Sequence, residues 1–337
     1  MKVSATLMPP LETVGEQARK LEEQGYSVGM SAELANDPLL PLAMAAQTTE
    51  TLELYTGITV AFARSPMPLA ASAHDINVLS KGRLALGLGS QIRPHITKRF
   101  SMPWTSPAPQ MREYIQALRA IWNCWYNGEK LDFRGDVYTH TLMTPMFTPT
   151  DLTYGAPRVV LAAVGPGMTE VAGEVADGMI AHGFTTEKYL REVTLPSIEA
   201  GLAKSGRSSD DFELSIPAFV VTGRDEREFA DVRRATCKQI AFYGSTPAYR
   251  GVLEAEGCGE LQTELNQMSK QGLWDEMGER IEDDLLEKIA IVGLPHEIAP
   301  RLHERFGDVI DLASAKPMGA RDGGLQAQLA KELRSLG

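Results

Sequence analysis

"RVVLAAVGPGMTEVAGEVADGMIAH" (Arg158–His182) decides the fold. After Arg158, the six residues Val159–Val164 form an unbroken apolar run that reads as a buried strand. The run stops at Gly165, Pro166 and Gly167, and the backbone turns directly into a helix from about Met168 to Val175. "GMIAH" (Gly178–His182) then resumes as a second strand. Strand, helix and strand in so short a space make a parallel pair joined by a right-handed crossover.

The same alternation runs outward in both directions. Before it lie apolar runs at Lys2–Leu7, Tyr26–Ser31, Leu52–Phe62 and Leu84–Gly89. After it come Phe212–Thr222 and, near the end, Val309–Ala313. Helices are read from Leu11 to Gly25, from about Pro38 to Glu50 and from about Pro68 to Leu79. A further helix carries Met111, Tyr114, Ile115, Leu118, Ile121, Trp122 and Trp125 on one stripe, and another runs from about Glu187 to Ser205. Eight strands alternating with helices close most naturally into a TIM (β/α)8 barrel, an α/β fold. A doubly wound open sheet is the rival, but it would place a glycine-rich phosphate loop at its first crossover. "LMPPLET" (Leu7–Thr13) has no glycine there.

Residues 128–156 read as loop with a hairpin around Arg134–Tyr138, and 225–304 as mostly helical. The expectation is one domain over 1–337 with a mostly helical insertion at about 225–305.

The 337 residues carry a net charge of −11, and the basic residues are scattered rather than clustered. That balance repels nucleic acid and anionic membranes and leaves small molecules or other copies of the chain as partners. Cys124, Cys237 and Cys258 are an odd number without a CxxC pair. They read as reduced, mostly buried thiols. No apolar run has the length of a bilayer span and the start has no signal-peptide pattern, so a cytoplasmic protein is expected. The six histidines lack metal-ligand spacing, and no GxSxG elbow offers a nucleophile.

Four stretches gather chemistry at predicted strand ends, the active-site face of a barrel. The Gly165–Gly167 turn opens a helix whose first amides favour an anion, although such a turn serves equally well as plain packing. Gly57 interrupts a β-rich strand, as at a bulge or a close approach. Gly87 and Gly89 interrupt the fourth strand, and Ser90 and Gln91 follow with side chains suited to the polar edge of a heterocycle. In "MSAELANDP" (Met30–Pro38), Glu33 and Asn36 are candidates to orient substrate or exchange a proton. Asp37 before Pro38 reads as a helix cap. His95 and His182 stand at strand ends.

Together "GITVAFARSP", "LSKGRLALGLGSQ", "MREYIQALRAIW" and "AAVGPGMTEVAGEVADG" resemble the bacterial luciferase-like monooxygenases and reductases over roughly residues 1–220. Within that superfamily the chain is most similar to the branch using the deazaflavin coenzyme F420, the methylenetetrahydromethanopterin reductase-like enzymes. The resemblance implies a TIM barrel with insertions and a homodimer. It implies hydride transfer between the coenzyme and a small organic substrate. It also implies a non-proline cis peptide at Gly57–Ile58 behind the central ring, with Ser90 and Gln91 near that ring. The cofactor phosphate would sit at Gly165, Pro166, Gly167, Met168 and Thr169, with Ala163 and Val164 leading into the turn. Substrate would enter toward Glu33, Asn36 and His95. Arg64, Arg93, Lys98 and Arg99 follow the third and fourth strands, where they serve equally well to attract the coenzyme's acidic tail or as solvated surface residues. One departure is the pair Glu33–Leu34, where some deazaflavin dehydrogenases place a histidine after the acidic residue. The alternatives are an FMN-dependent monooxygenase of the same fold and a non-catalytic flavin-binding protein.

Overall fold

The computed structural model describes residues 1–317 and 324–336. Eight parallel strands close on themselves: β1 (Lys2–Thr6), β2 (Val28–Ser31), β3 (Glu53–Thr56), β4 (Leu84–Gly89), β5 (Arg158–Ala163), β6 (Gly178–Ala181), β7 (Glu213–Val221) and β8 (Leu312–Pro317). Each pairs with the next, and β8 returns to β1 through Lys2↔Leu312 and Val3↔Ala313. The fold is the expected TIM barrel.

Residues along each strand alternate between two cores. On β4, Leu84, Leu86 and Leu88 point outward and pack under helices, each burial contributing roughly 1.5–3 kcal/mol. Facing inward, Ala85 joins Val28, Tyr55, Val160, Ile180 and Leu312 in the barrel's inner layer. Around it lie helices α1 (Leu11–Glu23), α2 (Leu39–Ala46), α3 (Pro66–Leu79), α4 (Pro107–Asn127) and α5 (Pro166–Val175). Met111, Tyr114, Ile115, Leu118, Ile121, Trp122 and Trp125 of α4 are all buried in the outer core.

Several boundaries differ from expectation. α2 ends at Ala46 rather than near Glu50, where Arg83 takes the helix's final carbonyl, that of Ala46, together with those of Thr49 and Leu52 beyond it. The run Leu52–Phe62 breaks into β3, the short strand Thr59–Val60 and a 3₁₀ turn at Ala61–Ala63. β8 begins at Leu312 rather than Val309, since the amides of Val309 and Ile310 still bond to Phe306 at the end of the preceding helix. The helix read from Glu187 to Ser205 widens over Leu190–Thr194 before resuming. Only Cys237 of the three thiols is buried.

Residues 225–304 hold a second apolar core around Val221, Ile240, Val252, Leu265 and Leu286. This stretch is not all helix. Ala290–Val292 is a strand, paired in parallel with Phe219–Val221 at the upper end of β7. No described helix is long and apolar enough to cross a membrane.

Candidate active site

The lower mouth of the barrel is closed by charge. Lys2 bridges Glu53 at 2.6 Å and Glu213 at 3.3 Å, Arg158 reaches both carboxylates, and the Tyr55 hydroxyl donates to Glu213 at 2.7 Å. Burial pulls the Glu213 carboxyl upward, but the Tyr55 hydrogen bond with the Arg158 and Lys2 charges outweighs it and holds the group below the ordinary range. This end is built for stability, as the bottom of such barrels is.

At the opposite mouth the inner face is apolar and cleared by glycines. A Cβ on Gly57 would stand 2.2 Å from Met30 Sδ, one on Gly87 1.7 Å from the Thr56 carbonyl oxygen, and one on Gly89 2.8 Å from Ile58 Cδ1. The Gly57–Ile58 peptide is cis. Thr56 is turned so that its hydroxyl donates to the Gly87 carbonyl at 2.7 Å. Ile58 packs against the inner layer with Met30 and Ala162, making an apolar platform.

Glu33 stands at the edge of this platform and is already committed to protein donors. Its amide donates to the Ile58 carbonyl, Oε2 accepts the Val60 amide at 2.7 Å, and Oε1 accepts Arg64 Nη2 at 2.5 Å. The carboxylate is buried, and burial pushes its pKa up against the opposing Val60 amide and Arg64 charge. Neither the spacing nor the composition of the sequence showed the Arg64 partnership. Asn36 is exposed and lines a cavity of about 580 Å³ between the ends of β1 and β2, with Thr6, Met8, Ser31 and Leu40. Asp37 caps α2, its Oδ1 accepting the Leu39 and Leu40 amides. His95 is exposed and opens the wide turn His95–Arg99. It is not brought against Glu33 by any hydrogen bond among the described residues.

Ser90 and Gln91 follow β4 directly. Gln91 has φ +58 and spends its Oε1 on the Ile92 amide at 2.9 Å, while Ser90 Oγ bonds the Gln91 carbonyl at 3.2 Å. Arg99 donates to the Leu34 carbonyl, and Arg93 and Lys98 are exposed.

On β5 the run Ala163–Val164 delivers the chain to the turn. Gly165 is the N-cap of α5 and offers no side-chain cap, and Pro166 has no N–H, so the Gly167 and Met168 amides of the first turn have no partner among the described residues, while the Thr169 amide already donates to the Gly165 carbonyl. A Cβ on Gly165 or on Gly167 would meet nothing within 4 Å. These glycines therefore clear space above the helix end rather than serve internal packing. Thr169 is 1% exposed, yet its Oγ1 has no hydrogen-bond partner. An uncapped helix start, open space over it and an orphaned hydroxyl are the fittings of an anion such as a phosphate. Met168 is half-buried beside them.

One inward residue was seen in the sequence only as a strand end. His182 follows Ile180 by two positions, one residue past the end of β6, and is packed against Tyr243 and Tyr249 from the 225–304 stretch. The period of two along β6 was the available signal.

Comparison with known proteins agrees with this architecture. An uncharacterized protein of Mycobacterium tuberculosis is 51% identical over 311 residues, covering 92% of each chain. A 5,10-methylenetetrahydromethanopterin reductase of Archaeoglobus fulgidus is 26% identical over 284 residues, covering 82% of this chain and 81% of that one. The coenzyme F420 dependent tetrahydromethanopterin reductase from Methanopyrus kandleri superposes with a TM-score of 0.76 at 18% identity, covering 100% of this chain and 98% of its own. The profile of the luciferase-like monooxygenases matches residues 2–311, and the chain belongs to that family.

Proposed function

We propose that the protein is an oxidoreductase that uses the deazaflavin coenzyme F420 to move a hydride to or from a small organic substrate. The observation that carries this reading is the pairing of an apolar platform at Ile58 and Gly89 with an uncapped, unobstructed helix start at Gly165–Thr169. A ring and a phosphate on one ligand match the two. Relatives named as F420-dependent enzymes support the choice of cofactor.

When bound, a deazaflavin supplies a ring carbon that exchanges hydride and reacts poorly with oxygen. The chain's own residues have positional work. Gly57, Gly87 and Gly89 keep side chains off the platform. Glu33 holds the backbone between β2 and the Val60 segment, with Arg64 neutralising its buried charge. The Gly167 and Met168 amides and the Thr169 hydroxyl receive the phosphate. The apolar cavity bordered by Asn36 receives the substrate.

The test is a titration of cofactor-free protein with F420 and, separately, with FMN, followed by tryptophan fluorescence. Tighter binding of F420 supports the proposal. Tighter binding of FMN, with oxygen uptake once it is reduced, would replace it with the monooxygenase reading, and binding of neither would overturn both.

A further inference from the structure

His182 stands one residue past the end of β6, two after the inward Ile180, and continuing the register Ala162↔Ile180 and Ala163↔Ala181 by one residue sets it beside Val164, at the approach to the glycine turn. Its Nδ1 accepts the Phe184 amide at 3.0 Å. The neutral ring therefore carries its proton on Nε2. That nitrogen has no partner among the described residues, and it is not one of the buried polar atoms left unpaired, so its N–H is not sealed off from an incoming ligand. The imidazole is fixed in this pose by Tyr243, packed edge-on at 4.4 Å, and by Tyr249 at 4.8 Å. Phe219 of β7 backs Tyr243 at 6.2 Å. All these neighbours are uncharged, and burial pushes the imidazole down to about 4, so the ring is a neutral donor under ordinary conditions.

A ligand with its phosphate at Gly165–Thr169 and its ring over Ile58 and Gly89 must cross the inner end of β5. The group that crosses there in either flavin-type cofactor is a polyhydroxylated chain. Building on the oxidoreductase reading, we propose that His182 contacts the cofactor directly, its Nε2–H donating a hydrogen bond to a hydroxyl oxygen of that chain. The aromatic wall contributed by the 225–304 stretch is thus a positioning device for a cofactor contact as well as a second core.

The test compares His182→Phe, which keeps the ring's shape, and His182→Gln, which keeps a donor. Each is titrated with the full cofactor, with its phosphate-free form (riboflavin or the deaza analogue) and with a chainless ring (lumiflavin or its deaza analogue). The expected result is a loss of about tenfold for His182→Phe with both chain-bearing ligands, none with the chainless ring, and recovery in His182→Gln. Unchanged binding in His182→Phe, or an equal loss with the chainless ring, overturns the assignment while leaving the oxidoreductase reading standing. Wild-type protein that binds neither F420 nor FMN overturns both. Should His182→Phe fail to fold, nitrogen NMR of the wild-type imidazole decides. An Nε2–H signal that moves on adding the cofactor supports the contact, and a proton found on Nδ1 or a signal that stays put overturns it.

Discussion

Glu33 beyond the end of β2 and Arg64 beyond β3 meet at 2.5 Å, and the second oxygen of the same carboxylate takes the Val60 amide, so one side chain ties the end of β2 to the segment that follows Gly57–Ile58. Replacing Glu33 with Ala leaves a buried amide and a mostly buried guanidinium unpaired. The expected loss in urea unfolding is about 2 kcal/mol, below the range for a broken fully buried pair because Arg64 keeps some water. Glu33→Gln should recover part of it. A Glu33→Ala protein of wild-type stability that had lost turnover would instead mark Glu33 as a catalytic residue.

Gly87 and Gly165 make opposite predictions although both are glycines at a strand's upper end. A methyl on Gly87 collides with the Thr56 carbonyl oxygen, a backbone atom that cannot move aside cheaply. Gly87→Ala is expected to lower the melting temperature sharply, by the several degrees that a loss of about 1–3 kcal/mol produces. Gly165→Leu points into open space and should melt as the wild type does. Its loss should appear in affinity for a phosphate-bearing cofactor and be small for the phosphate-free form. Equal affinity for both forms would remove the phosphate from this turn.

Thr169→Val removes a hydroxyl that makes no hydrogen bond in the protein alone. Stability of the cofactor-free protein should be unchanged or slightly higher. Affinity for the phosphorylated cofactor should fall about tenfold or more, as for a bond to a charged acceptor. A destabilised, normally binding variant would assign this hydroxyl to the fold.

The base of the barrel should be acid-sensitive. Glu213 is held below its unfolded value, so the stability it contributes is present above about pH 4.5 and is lost as pH falls through the lowered folded value. Tyr55→Phe removes a donor to that carboxylate and should both lower stability near neutrality and shallow the acid limb. Melting curves taken at successive pH values on the wild type and on Tyr55→Phe make the comparison. Parallel curves would show that the Tyr55 bond does not set the Glu213 pKa.

The eight strands were legible because their apolar runs are continuous and punctuated by glycine and proline, as at Arg158–Val164 before Gly165. Boundaries were less so wherever a distant group decided them. Nothing near Glu50 announces that Arg83 will take the end of α2. Ala290–Val292 is too short to distinguish from helix until β7 is seen to offer it an edge. In the site, glycines marked where backbones come close, since each missing Cβ is a fact of sequence. Partnerships between charged side chains were not marked. Glu33 was found as a carboxylate at a strand end, but that Arg64 and the Val60 amide occupy it is a matter of three dimensions. His182 lay between these cases, its inward face written in the period of two and its tautomer in a hydrogen bond to Phe184.

β7 is shared property. Its lower residues pair with β6, its middle with β8, and Phe219–Val221 with Ala290–Val292. Any engineer wishing to graft the 225–304 stretch onto a related barrel would therefore have to cut within β7 and past Val292, carrying Phe219 along. A transplant severed at Asp225 would leave the donor's strand without the edge it was shaped to join, and Tyr243 without the ring behind it.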